Sequence, residues 1–454
     1  MQFLENFEDF MGLLSGWVWG APMLILLVGT HIYLTIILKG LQFRSLPLAF
    51  KIIFTKNNGS GDISQFSALM TALAATVGIG NIVGVATAIT LGGPGAIFWM
   101  WLTGLLGMAT KYSEGLLAIK YREKGPDGMR GGAMYYLSKG AKMPILGTFF
   151  ALFTVVSAFG VGNMVQANAS AHIFESAFNI PTQWTGIFFA ILTGLVIIGG
   201  IKSIGRFVSV LVPFMILLYV GTMLTTLTIR FDQIPHAFSL IFYGAFNGAS
   251  ATGGFIGATI AAAIRFGVAR GLFSNEAGLG SASIVAASAK TKDAVSQALV
   301  TMTGTFIDTI VVCTLTALVI LTTDIWTLGV SAGELTSRSV EVTLGYSGVV
   351  IIALSTALFA FSTLVGWSYY GEKALEFLLG NKVIKFYRFF YVLAVFIGAT
   401  MSLNLIWNLS DITNGMMAVP NLIGLLMLSK IIKKETNQYF KINNERSEKS
   451  YGTS

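Results

Sequence analysis

The sequence has one cysteine, three histidines and little charge, and each scarcity closes off a class of function. A single cysteine, Cys313, sits inside an apolar run and excludes a disulfide framework and any cysteine-based metal cluster. His31, His172 and His236 are too scattered for a histidine-rich metal site. Asp, Glu, Lys and Arg make up only 11% of the 454 residues, against roughly 25% in soluble domains. No GxxxxGK[ST] run is present, so no P-loop cradles a nucleotide. No grouping of nucleophile, base and metal ligands argues for an enzyme. The first residues, MQFLENFEDFMGLL, carry Glu5, Glu8 and Asp9 but no basic residue. They lack the positive n-region of a signal peptide, so the first span is expected to stay in the mature protein.

What the chain has is apolar length. Hydrophobic residues are 54% of it and mean hydropathy is +0.74, which leaves too little polar surface to cover a body folded in water. The expected fold class is an all-α polytopic membrane protein. Apolar runs near the roughly 20 residues of a bilayer crossing fall at 17–38, 64–91, 96–120, 146–176, 183–200, 206–229, 243–269, 294–321, 348–376, 386–403 and 405–430. That predicts eleven transmembrane helices. The polar segment after Lys430 is expected to be disordered. On these spans all but two of the 29 Lys and Arg fall at one set of ends, with only Arg230 and Arg338 at the other. The positive-inside rule then predicts an N-terminus outside and a C-terminus in the cytoplasm, in the cell membrane. The net charge of +8 reads as a topology signal with weak attraction to anionic membrane lipid, and no nucleic-acid partner is expected.

Two spans carry glycine at mid-depth. The second has Gly78, Gly80 and Gly84; the seventh has Gly248, Gly253, Gly254 and Gly257, with Phe255 beside them as a wall or gate. Small residues also serve close helix packing in lipid, but the positions favour a second reading. Five helices separate the starts of the two spans, and an odd-numbered unit places its copy upside down. Corresponding interrupted helices in two inverted halves point to a transporter's midplane site. Unwound backbone there is tolerated only where it lines a cavity or binds something. The expected organisation is an extra N-terminal helix and loop (1–62), a first five-helix repeat (63–230), a second (231–430) and a polar cytoplasmic tail (431–454). Residues 63–430 thus form a ten-helix core of two inverted repeats with broken first helices.

Four stretches resemble the alanine or glycine:cation symporter family: GDISQFSALMTALAATVGIGNIVGVATAITLGGPGAIFWMWLTGLLGMATKYSE (61–114), RGLFSNEAGLGSAS (270–283), MTGTFIDTIVVCT (302–314) and STLVGWSYYGEK (362–373). The resemblance implies a leucine-transporter-like fold and Na+-coupled uptake of small neutral amino acids, with Na+ as coupling ion and no organic cofactor. By resemblance to leucine-type sodium symporters, Val77-Gly78-Ile79-Gly80-Asn81 is the break of the first core helix. Ala74 and Val77 would then give carbonyls to Na+, joined by the Phe359 carbonyl and the Ser362 and Thr363 hydroxyls. Five oxygens without a carboxylate suit a weakly held monovalent ion. The hydroxyls have a plainer use too, bonding carbonyls of their own helix.

Polar residues in the spans complete the candidate site. Asn163, Gln166 and Ser170 share a helical face. Gln166 is the first choice and Asn163 the second for a substrate contact, since an amide accepts from an ammonium and donates to a carboxylate. The substrate's charged ends are expected around Gly78, Ile79, Asn81 and Gln166. Its side chain is expected toward Phe255, beside Gly253 and Gly254, and toward Trp367, which lies one turn beyond Thr363. Trp367 has an alternative reading as an interfacial anchor. Asp308 and Asp411 lie inside apolar spans and carry structural or gating roles, or, in a proton-coupled alternative, the proton. Thr305 and Thr309 are near enough to hydrogen-bond Asp308. Lys111 and Glu114 read as a surface pair worth little. SNEAGLGSAS reads as a cytoplasmic loop or short helix, with Glu276 paired to Arg265 or Arg270. A channel fits less well, because two unequal broken helices favour an occluded site over a continuous polar pore. No obligate protein partner is evident.

Overall fold

A computed structural model describes residues 2–451 apart from 56, 58, 127, 248–258 and 402. Helices dominate, as they must where the bilayer offers the backbone no water. Among the described residues the sheet structure is one hairpin, Glu123–Gly125 antiparallel to Gly128–Arg130. Six helices are long and apolar enough to cross a membrane, and two bent pairs raise that number to eight. All eleven expected ranges carry helix. Ala96–Lys120, Thr182–Ile197 and the 243–269 range, part of which lies outside the described residues, fall outside the eight, Thr182–Ile197 because it has only 16 residues. The protein is a multi-pass membrane protein.

The first broken helix begins at Ser64, whose hydroxyl accepts the Ser67 N–H. It runs over Gln65–Thr76, gives way at Val77 to extended backbone, turns through Ile79–Asn81 and resumes as Val83–Gly92. The two arms differ in direction by 60°. A second interruption follows helix Ile260–Asn275. Glu276, Gly278 and Gly280 have φ of 56°, 98° and 82°, after which a short helix covers Ala282–Ala286. Left-handed backbone at three of five positions ends the helix, and two of them are glycines, which take that conformation freely.

This second interruption lies in SNEAGLGSAS, which is therefore no surface loop: Ser274 through Ala289 are buried. The break expected at Gly253-Gly254, with Phe255, falls outside the described residues. Neighbours fix the direction of Ile260–Asn275. A Cβ on Gly92 would lie 3.2 Å from Ala262 O, and one on Gly267 would strike Ala96 O. At the other end, Ser60 and Ile63 bridge Thr291 and Ala289. Arg265 therefore lies near the Gly92 end and Arg270 between that end and Gly80, so neither falls with Lys39 and Lys51, where the spans had put them. The basic asymmetry survives with these two moved.

Two long helices contain π-helical segments, Gly160–Met164 within Pro144–Phe178 and Phe306–Cys313 within Ala294–Thr322. Such turns recur at functional sites, and these carry Asn163 and Asp308. Helix also extends beyond the expected spans. Between the eighth and ninth of them the chain is helical from Ala332, kinked at Gly345 into one element ending at Leu379. The tail, expected to be disordered, is helical over Ser429–Tyr451, because its inner face packs: Tyr112 Oη lies 2.8 Å from Thr436 Oγ1, and Lys120 meets Glu435 at 2.7 Å.

Candidate functional site

At the first break the helix leaves carbonyls and N–H groups without helical partners, and neighbouring elements take them up. Ala74 O lies 3.2 Å from Ser362 Oγ and 3.1 Å from Thr363 Oγ1. Val77 O lies 3.4 Å from Ser362 Oγ, and Phe359 O accepts from both hydroxyls at 2.8 and 3.0 Å. The five oxygens expected around Na+ are thus brought together, all on buried residues. The approach depends on small residues. A Cβ on Gly366 would lie 2.8 Å from Ala75 N, and one on Gly78 would lie 2.5 Å from Thr363 Oγ1.

On the other flank of the break, Ile79 N–H donates to Gln166 Oε1 at 3.2 Å, while Gln166 Nε2 donates to Val161 O at 3.0 Å. Gly78, Ile79, Gln166 and Thr363 therefore share one small volume. Asn81 does not face it. Its Oδ1 accepts the Gly78 N–H, and its Nδ2 donates to Asp308 Oδ1 at 2.7 Å. Asn163 donates to Tyr391 O at 2.7 Å and leaves its buried Oδ1 without a described partner. Trp367 is 1% exposed, which removes the interfacial-anchor reading. Its Nε1 donates to Glu276 Oε1 at 2.8 Å, and Ser281 donates to Glu276 Oε2.

The carboxylates are placed differently from the sequence reading. Glu276 does not pair with Arg265 or Arg270; Arg270 pairs with Asp411 at 2.6 Å. Asp308 accepts from Ser274 and Thr309 as well as Asn81, whereas Thr305 Oγ1 has no described partner. Lys111 and Glu114 are buried, not surface-exposed. Lys111 is nine residues inside the end of its helix, about 14 Å at 1.5 Å per residue. Both residues hold the second interruption. Lys111 Nζ donates to Asn275 O at 2.8 Å, and Glu114 Oε1 accepts Gly278 N and Gly280 N at 3.0 Å each and Asn421 Nδ2 at 2.7 Å. One sequence signal marks this break: Gly278-Leu279-Gly280-Ser281 repeats the Gly-x-Gly-polar pattern of Gly78-Ile79-Gly80-Asn81.

Toward the Gly92 end lies a cavity of about 710 Å³ lined by Asn168, His172, Arg270, Arg338, Trp407 and Asp411, among others. The Arg270–Asp411 pair stands between it and the break. Arg270 also lies over the Phe273 and Trp407 rings, 5.6 and 5.5 Å from their centres. Phe273 in turn lies against Gly80, 3.0 Å from where a Cβ would be. Among the described residues no three His, Cys, Asp or Glu gather as a metal site.

Known proteins share this architecture. MhsT in complex with L-phenylalanine superposes with a TM-score of 0.62 at 13% identity, covering 81% of this chain and 89% of that one. A manganese transporter of Eremococcus coleocola gives 0.56 at 12% identity, covering 82% and 80%. At such identities the likeness is one of fold, the leucine-transporter-like one expected above. In sequence, an uncharacterized transporter of Haemophilus influenzae is 50% identical over 438 residues, 95% of this chain and 96% of that protein. The sodium/alanine symporter AgcS of Methanococcus maripaludis is 49% identical over 451 residues, 96% and 98% of the two chains. The probable sodium/glutamine symporter GlnT of Bacillus subtilis is 36% identical over 436 residues, 95% and 90%. The family profile described as "Sodium:alanine symporter family" matches residues 4–452. These relatives are transporters, and this protein is a transporter and not an enzyme. With its profile matched almost end to end and a broken-helix site of the shared fold, the chain belongs to the sodium:alanine symporter family.

Proposed function

We propose that the protein couples Na+ entry to uptake of a small neutral amino acid, alanine or glycine, by alternating access across the cell membrane. In this reading the N-terminus is outside, the C-terminus is cytoplasmic and eleven helices cross. The observation that carries it is the cluster of Ala74 O, Val77 O, Phe359 O, Ser362 Oγ and Thr363 Oγ1. Their hydroxyl–carbonyl separations of 2.8–3.4 Å approach the roughly 3.4 Å edge of an octahedral shell about 2.4 Å in radius, within the range of oxygen-bound cations. Neutral oxygens hold a monovalent ion weakly enough to release it on the other side. The adjacent Ile79 N–H, at the start of the second arm, suits a substrate carboxylate. Gln166 must then yield its acceptor contact and offer its amide to the substrate.

The names of the Methanococcus and Bacillus relatives support sodium and an amino acid as the two cargoes, and they differ on which amino acid. Trp367 and Glu276 would close the pocket on one side. The test is counterflow and net uptake of labelled alanine in proteoliposomes under a Na+ gradient, then under a pH gradient alone. Uptake that needs Na+ and competes with glycine supports the proposal. Uptake driven by pH without Na+, and abolished by Asp308→Asn, replaces it with the proton-coupled reading.

A further inference from the structure

The segment before the first broken helix and the segment after the second lie against each other at the Lys51 end of the molecule. Asp62 N and Ile63 N donate to Ser288 O at 2.8 and 3.2 Å, Lys290 N to Ile63 O at 2.7 Å, and Thr291 N to Ser60 O at 3.2 Å. Two glycines permit this approach, since a Cβ on Gly59 or Gly61 would overlap the backbone of Thr291 or Ala289.

Arg122 lies across the seam. It follows the end of Ala96–Lys120 by two residues, and its side chain divides its donors between the two sides. Nη1 donates to Ala287 O at 2.9 Å and Ala289 O at 2.7 Å. Nη2 donates to Ser60 O at 2.8 Å, Ser60 Oγ at 3.0 Å and, more weakly, Thr291 O at 3.4 Å. A planar fork with fixed donor directions can do this; a lysine cannot. Asp62 is the opposite charge beside it, and its carboxylate is held in turn by Met129 N–H at 2.7 Å. Deeper in the same helix, Lys111 and Glu114 grip the second broken helix and not the first, through Asn275 O and the Gly278 and Gly280 N–H groups, with Asn421 the other partner of Glu114. Of these three charged side chains, Arg122 is the one that also reaches the first.

We propose that Arg122 is the latch that keeps the cytoplasmic mouth shut, by tying Ser60 and the arm it leads into, Gln65–Thr76, to the Ala287–Thr291 segment. Opening breaks the Ser60 contacts while the Ala287 and Ala289 contacts remain, so the second broken helix stays with Ala96–Lys120 and the first arm swings free. The inference rests on alternating access, but its test reads conformation and not transport.

Ile63→Cys places a thiol on the seam at a buried position, and Asn408→Cys places one on the wall of the cavity at the other side. Native Cys313 is buried, and the protein without either reporter gives its background. Maleimide labelling rates are measured on the purified full-length chain in Na+-free buffer, with Arg122 intact, as Arg122→Gln and as Arg122→Lys. Arg122→Gln should label Ile63→Cys roughly tenfold to a hundredfold faster, the range for losing hydrogen bonds to a charged group, and should not speed Asn408→Cys. Arg122→Lys, which keeps the charge and loses the fork, should fall between and provides the reading if Arg122→Gln does not purify folded. An unchanged rate at Ile63→Cys overturns the latch, as does equal acceleration of both reporters, which would mean general loosening. A wrong substrate or ion leaves every one of these rates untouched.

Discussion

Gly78→Ala tests the site most sharply, because its effect runs through one atom. An added Cβ would lie 2.5 Å from Thr363 Oγ1 and 3.1 Å from Gln166 Oε1, where ordinary contact begins at 3.4 Å. The Thr363 hydroxyl cannot turn away without leaving Ala74 O and Phe359 O, between which its one proton is shared. One neutral hydrogen bond is worth about 0.5–1.5 kcal/mol, and overpacking a tight core costs about 1–3 kcal/mol. On the proposed function this raises the Na+ concentration for half-maximal alanine uptake by roughly 5- to 150-fold, at 1.4 kcal/mol per factor of ten. Thr363→Ala removes the obstructing hydroxyl, so the clash and the ligand loss are not independent. The double variant Gly78→Ala/Thr363→Ala should need little more Na+ than Thr363→Ala alone, with coupling near the size of the single Gly78→Ala effect. Uptake by the four purified proteins at graded Na+ decides it. Additive penalties would refute the reasoning and separate Gly78 from Thr363.

Thr363→Ala by itself should raise the Na+ requirement by about 1–3 kcal/mol in free-energy terms, and an unchanged Na+ titration removes it from the ion site. Gln166→Ala should weaken alanine and glycine alike, because it touches the part they share; competition against labelled alanine would expose a selective loss. Trp367→Phe keeps the ring bulk but strips Glu276 Oε1 of its indole donor, at about 1–3 kcal/mol; heat unfolding in detergent should begin at lower temperature. Asp411→Asn breaks the pair with Arg270 and should speed maleimide labelling of Ser274→Cys, a buried position beside Gly80 on the break side of the pair; no change would show that the pair does not close that mouth.

The first break was legible because its glycines, its Asn81 and its place in the second span agree, and the family pattern supplied Ser362, Thr363 and Phe359 on a distant helix. Nothing in the spacing alone would have chosen those two hydroxyls among the chain's many. A further break went unread for a physical reason. Glycine density drew attention to Gly248–Gly257, outside the described residues, whereas the interruption at Glu276–Gly280 has only two glycines and a charged residue in left-handed backbone. Lys111 and Glu114 misled in the same way: charge near the expected end of a span suggested solvent, but these side chains serve backbone groups that the interruption frees. Amphipathic spacing does not reveal such partners, since they come from another repeat.

The two π segments carry a consequence for inheritance of the helix faces. A π turn holds one residue more than an α turn needs, and each residue advances the helix by about 100° at 3.6 per turn. In Ala294–Thr322 the extra residue is taken up inside the wide turn, so everything after Cys313 keeps the azimuth that an α-helix one residue shorter would give it, including Thr316, whose hydroxyl lies 2.8 Å from that of Tyr219. Deleting one residue between Phe306 and Cys313 would let the helix close as regular α with Thr316 still facing Tyr219. Straightening the segment to regular α at its present length would instead turn the half beyond by about 100°. The wide turn is therefore a phase correction between two faces of one helix, and the segment tolerates loss of a residue where an ordinary helix would not.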